Sequence, residues 1–225
     1  MKKIKINEID IIFTKRKKQK NICLKINSKG EVILSAPFFC SESKAIDFIN
    51  KNIEWIKNNH SKIPQPTKFK ESDTISILGQ SYTIVHMPKQ KTSVEISNNQ
   101  LLVSGENTFI HRRVSNFAKK QLLIYIEKKA IELAKIIQKK PNKISLKDTS
   151  SRWGSCSSKQ NLNFCWKIAF APIFVIDYLI AHEVAHLKEM NHSDAFYKTV
   201  ALLNVEQSKA EIWLRKNGKD LINIQ

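Results

Sequence analysis

Apolar and polar residues alternate through much of the first hundred positions. Ile22, Leu24 and Ile26 take every second place, Asn27-Ser28-Lys29-Gly30 forms a turn, and Val32, Leu34 and Ala36 resume the alternation. A period of two sends one set of side chains to one face of a sheet, so this stretch is predicted to be a hairpin. The period then lengthens. Ala45, Ile49, Ile53 and Ile56 fall on one helical stripe, with Ser41 or Ser43 placed to cap it. Ile63-Pro64-Gln65-Pro66 reads as a connector. Four more strands are predicted over 74–78, 80–86, 94–96 and 101–103, with turns at Gly79 and Asn98-Asn99.

The pattern changes at Ser104-Gly105. Ile110, Val114, Phe117, Ala118, Leu122 and Tyr125 mark a long helix running to about residue 138, where Lys139-Lys140-Pro141-Asn142 stops it. A strand is predicted over 144–148 and another through Leu162, Phe164 and Trp166, joined by a polar bend at 151–156. Pro172 suits the first turn of a helix carrying Ile176, Leu179, Ile180 and Ala181. Two shorter helices follow over 194–203 and 207–217, the second ended by Gly218. No internal repeat or low-complexity tract is visible. The expected fold class is α+β. A strand-rich region with one helix is expected over 1–104, and a helical domain with a small antiparallel sheet over 105–225.

Composition narrows the picture modestly. With 225 residues, 42% hydrophobic and 26% charged, the chain can bury a core. No secretory signal is evident, and the most apolar stretch, 168–176, is too short to span a bilayer, so no membrane partner is expected. Cys23, Cys40, Cys156 and Cys165 form no C-x-x-C pair and read as free thiols of a reducing cytoplasm. The net charge of +18 would suit a nucleotide or nucleic-acid partner. Yet only five of the 38 basic residues are arginine, the side chain best shaped for bidentate anion contact. That imbalance, with many Ile and Asn, favours a compositional origin for the charge. The cluster from Lys15 to Lys20 is expected to decorate a solvated hairpin.

Candidate chemistry centres on His182-Glu183-Val184-Ala185-His186. Histidines at i and i+4 lie on one helix face and can reach one metal ion, while the carboxylate between them sits at the edge of that face. Catalytic zinc takes three protein ligands and keeps one position for water. His192, just past the expected helix end at Asn191, is the favoured third ligand. Glu206, spaced as in thermolysin-like enzymes, is its rival. A metzincin reading fails, because Glu189 stands where glycine is required and no methionine follows the third histidine. In this reading Glu183 is the general base that activates the zinc-bound water. Asp177 could orient a ligand imidazole, although capping or a surface ion pair explains it equally well. Arg152, Tyr178 and Tyr197 are candidates to stabilise an oxyanion. His60, His86 and His111 are expected at the surface, and a nucleophilic role for Cys156 is not favoured.

Four segments in order closely resemble the YgjP-like metallopeptidase family, a relative of the SprT and WLM zincins. They are Arg152-Trp153-Gly154-Ser155-Cys156, Ile176-Asp177-Tyr178, His182-Glu183-x-x-His186-Leu187 and Asn191-His192-Ser193-x-x-Phe196. The resemblance implies a zincin-like catalytic domain with one Zn2+ ion held by His182, His186 and His192, and Glu183 as the catalytic residue. It places the 152–156 segment beside the cleft, so Arg152, Trp153 and Gly154 join Tyr178, which shares the helix face of His182, as the candidate cleft or oxyanion contacts. It also implies a peptide or protein substrate. The chain departs mildly from the family at Ala195, where an acidic residue is common, and at Tyr197, where Trp is common. Two alternatives stay open: a metal-dependent phosphoanhydride (nucleotide) hydrolase, and a SprT-like protease associated with nucleic acid.

Overall fold

Short alternating segments need partners to satisfy their backbone hydrogen bonds, and here they find them in three small sheets. The computed structural model describes residues 2–6, 9–27, 30–60, 67–203 and 205–224. The chain forms two compact units, Met1–Pro66 and Thr67–Gln225. In the first, β1 (Lys2–Ile6), β2 (Ile9–Arg16), β3 (Cys23–Ile26) and β4 (Val32–Pro37) form a sheet in the order β1-β2-β4-β3. The expected β3–β4 hairpin is present and pairs Leu24 with Leu34, while Ser28 and Lys29 of its turn lie outside the described residues. The lysine-rich segment after β2 is mostly exposed but does not close a hairpin, because β2 pairs parallel with β4 and the chain crosses to the far edge.

The single helix expected next is two: α1 (Glu42–Lys51) and α2 (Ile53–His60), broken at Asn52. Asn52 folds its side-chain amide back onto the Phe48 carbonyl at 2.8 Å, a local bond that competes with helix continuation. Ser41 caps α1 by accepting the Lys44 amide at 3.3 Å. Ala45, Ile49 and Ile56 bury their stripe against Ile11, Phe13, Val32 and Leu34. The expected connector at 63–66 lies outside the described residues.

The second unit opens with β5 (Thr74–Ile77), β6 (Gln80–His86), β7 (Val94–Ser97) and β8 (Gln100–Val103), in the order β5-β6-β8-β7. This is the strand order of the first sheet, repeated without a repeat in sequence. Its hairpin turns are two-residue loops with both φ positive, at Leu78-Gly79 and Asn98-Asn99. The long helix α3 (Ile110–Ile136) lays Ile110, Val114, Ala118, Leu122 and Ile126 into the same core as Ile77, Ile84, Leu101 and Val103. The change of pattern at Ser104-Gly105 is thus a change of element within one core. The chain divides between Pro66 and Thr67, and the expected boundary at 104/105 has no counterpart.

After α3 come β9 (Lys143–Lys147), β10 (Gly154–Cys156) and β11 (Asn161–Cys165), then α4 (Ile173–Ala185), α5 (Asp194–Leu202) and α6 (Gln207–Ile222). The third sheet has the order β10-β11-β9 and is mixed, not antiparallel: β11 pairs parallel with β9 and antiparallel with β10. The segment expected to be a polar bend supplies β10, so the chain reaches the centre of the sheet only after visiting its edge. The α+β class holds. Gly218 does not end α6. It is buried inside the helix, where a Cβ would stand 3.0 Å from Trp153 Cζ2, so glycine permits close approach rather than termination.

Candidate active site

Eight of the thirteen residues of α4, from Val175 to Ala185, are apolar and buried, and the helix is the central one of its unit, surrounded by α3, α5, α6 and β10. Its N-terminal end is fixed by the β5–β6 turn. Leu78 donates its amide to the Ala169 carbonyl at 2.8 Å, and a Cβ on Gly79 would lie 3.2 Å from Ile173 N. At the other end the helix closes at Ala185. His186 keeps helical backbone (φ −65°, ψ −14°), so His182 and His186 present their rings on one face with centroids 5.1 Å apart. The helix stops well before Asn191, where its end was expected, and Asn191 does not take up left-handed backbone. A tightened last turn ends it instead, with Leu187 N–H bonded to Val184 O and Lys188 N–H to Ala185 O.

The chain then returns through α5. Phe196 is fully buried, with its ring centroid 5.0, 4.5 and 4.7 Å from those of His182, His186 and His192. One aromatic side chain therefore supports three imidazoles, and packing it seats α5 so that His192 faces α4. Only the x-x-Phe spacing after Ser193 signalled this residue in the sequence. One ligand-capable atom from each of the three histidines falls within a 4.8 Å cluster, and His192 Nε2 is 3.1 Å from His182 Nε2. Two nitrogens about 2.0–2.1 Å from one tetrahedral ion would stand roughly 3.3 Å apart, which is about the separation of the His182 and His192 pair. Glu206 stays outside the cluster and pairs with Lys209 at 2.9 Å.

The electrostatics suit neutral ligands. Burial, followed by the neighbouring His186 and His192, lowers the His182 pKa to about 4. Burial also lowers His186, whose Nδ1–H donates to the Glu189 carbonyl at 2.9 Å and leaves Nε2 with its lone pair. Glu183 is 5% exposed, and its Oε2 has no hydrogen-bond partner among the described residues. Burial pushes its carboxyl up to about 8, with the Arg152 guanidinium pulling the other way. Edge strand β10 runs directly over this carboxylate: a Cβ on Gly154 would lie 2.6 Å from Glu183 Cγ and 2.7 Å from Cδ.

Arg152, Trp153, Gly154 and Tyr178 line one cleft of about 540 Å³ with His182 and Glu183. The Tyr178 hydroxyl donates to Glu211 Oε1 at 2.8 Å. Glu211, Leu214 and Arg215 complete the cleft from α6, and the motif reading missed all three because they lie far along the chain. Asp177 does not orient an imidazole. Five residues before His182 it points elsewhere and accepts the Tyr125 hydroxyl at 2.5 Å, tying α4 to α3. Burial and then Glu183 push the Cys156 thiol up to about 11, which suits an inert thiol. His86 and His111 are half-buried rather than at the surface: His86 bonds the Gly105 carbonyl, and His111 Nδ1 accepts the Phe69 amide at 3.0 Å.

A family model described as the YgjP-like, metallopeptidase domain matches residues 20–217. No curated protein matches. A solved structure, the metallopeptidase zymogen abylysin of Pyrococcus abyssi, is similar at 20% identity over 44% of this chain and 99% of its own, with a TM-score of 0.37, too slight a likeness to carry an argument. The family match spans most of the chain and takes in the α4 histidines, His192 and the β10 edge, so this protein belongs to the YgjP-like family and is a metallopeptidase.

Proposed function

We propose that the protein is a zinc-dependent peptidase in which His182, His186 and His192 hold a single ion and Glu183 is the general base. The observation that carries this reading is the convergence of three imidazoles within 4.8 Å beside a buried carboxylate oxygen that lacks a partner. Three nitrogen ligands without cysteine are the donor set of catalytic zinc, whereas structural sites are closed by four ligands and rich in sulfur. When bound, zinc supplies Lewis acidity, acidifying water and polarising the carbonyl of the scissile bond.

The chain's own residues do the rest. Glu183 takes a proton from the attacking water at its unpartnered carboxylate and delivers it to the leaving nitrogen. Arg152 favours the ionised, proton-accepting form of Glu183 against the effect of burial. The Glu189 carbonyl fixes the tautomer of His186. Gly154 lets the β10 backbone lie against the Glu183 carboxylate, where a larger residue would displace it. Replacing Glu183 with Gln should leave stoichiometric zinc, read by atomic absorption, while peptide hydrolysis falls by three orders of magnitude or more, on the order of 4 kcal/mol. A zinc-loaded Glu183→Gln protein that cleaves peptides at the wild-type rate would overturn the assignment.

A further inference from the structure

We infer that the cleft beside the histidines selects substrates bearing a carboxylate close to the scissile bond, gripped by Arg215 together with Arg152. This rests on the peptidase reading above and deepens it. The chain carries 33 lysines and five arginines, yet the cleft is lined by two arginines and no lysine. A cleft drawing on surface composition at random would hold lysine. Guanidinium is planar and offers a fork of N–H donors that matches an oxyanion in two places, whereas ammonium is a point charge.

The fork of Arg215 is unpaired although an acid stands one helical turn away. Glu211 and Arg215 stand four apart on α6, in the orientation that ordinarily pairs acid with base along a helix. Here Glu211 Oε1 is engaged by the Tyr178 hydroxyl at 2.8 Å and the Gln207 amide at 2.9 Å. The Arg215 guanidinium forms no ion pair or hydrogen bond among the described residues. Nor does the guanidinium of Arg152, which acts on Glu183 through its field alone. Leu179, Leu214 and Trp153 supply apolar wall beside the two forks, which suits the stem of an amino-acid side chain.

The charge balance distinguishes a carboxylate from a polyphosphate. Two guanidinium groups share the cleft with the carboxylates of Glu183 and Glu211. With all four ionised these charges cancel, so a single carboxylate is held by the geometry of the two forks and not by an excess of positive charge. A nucleoside triphosphate would bring roughly four negative charges into a cleft holding only two arginines. The carboxylate can come from an Asp or Glu side chain or from a free peptide C-terminus.

The test is calorimetric binding to zinc-loaded Glu183→Gln protein, which cannot consume its ligand. Four blocked tetrapeptides serve as probes: one with a central Glu, its Gln counterpart, and an all-alanine peptide ending in either a free acid or an amide. The acidic probe of at least one pair should bind about tenfold tighter than its neutral partner, and the pair that responds identifies the source. Adding Arg215→Gln should erase that difference, and Arg215→Lys should restore only part of it. Equal or undetectable binding of all four, survival of the preference in Arg215→Gln, or tighter binding of ATP than of either acidic peptide would overturn the inference. If the acidic preference holds but zinc-loaded wild-type protein cleaves none of the four, the carboxylate site stands and the peptidase reading falls.

Discussion

Small side chains control this site as firmly as reactive ones. Gly154 has ordinary backbone angles, so its role is spatial. A methyl group there would overlap the Glu183 carboxylate, which is buried and has little room to retreat. We therefore expect Gly154→Ala to bind zinc normally while kcat/KM for peptide cleavage drops about a hundredfold, because a displacement of the proposed base by an ångström costs about that much. Wild-type kcat/KM in a folded, zinc-loaded Gly154→Ala protein would refute this account of the contact. The four residues that announce the site in sequence, His182, Glu183, His186 and His192, lie within eleven positions of one another and are legible for that reason. Phe196, Glu211 and Arg215 were legible only weakly or not at all, since a buried Phe and an exposed helix charge look the same wherever they occur.

At the level of elements, the junction between α3 and the residues that open its unit carries a pH-sensitive bond. His111 on α3 accepts the Phe69 amide through Nδ1, and it can do so only while that nitrogen is unprotonated. Burial, then Lys68 and Lys119, hold its pKa below the ordinary 6.5. As pH falls below 6.5 the unfolded chain takes up a proton that the folded chain refuses. The stability tied to His111 is thus present above 6.5 and is lost as pH falls through the lower folded value. Urea midpoints of metal-free wild-type and His111→Gln proteins at pH 7 and pH 5 should show the larger drop in the wild type. Equal drops would mean that the bond contributes nothing. Helix α4 illustrates another limit of element-level reading. Its residue types located it well, but where it stops was set by a local turn and not by the Asn191 signal.

For the whole molecule, the partition at 66/67 has a direct consequence. Strands β5–β8 share the core of α3 and α4, so a fragment spanning residues 67–225 should fold cooperatively and retain zinc against a weak chelator. One spanning 105–225 should expose the α3 stripe of Val114, Ala118 and Leu122 and aggregate or remain molten, as read by thermal unfolding and dye binding. Cooperative melting and zinc retention by the shorter fragment would show that the sheet is dispensable. No helix among the described residues is long and apolar enough to cross a membrane. By itself the sequence determined the α+β class, most strand and helix positions, the HExxH motif and the family resemblance, because periodicity and short spacings are local properties that survive without a fold. Only the tertiary structure decided the strand orders, the mixed third sheet, the edge position of Gly154 above Glu183, the support of three imidazoles by Phe196, and the sharing of one cleft by Arg152 and Arg215. Each of these joins residues distant in sequence, and packing, not local preference, chooses which of them become neighbours.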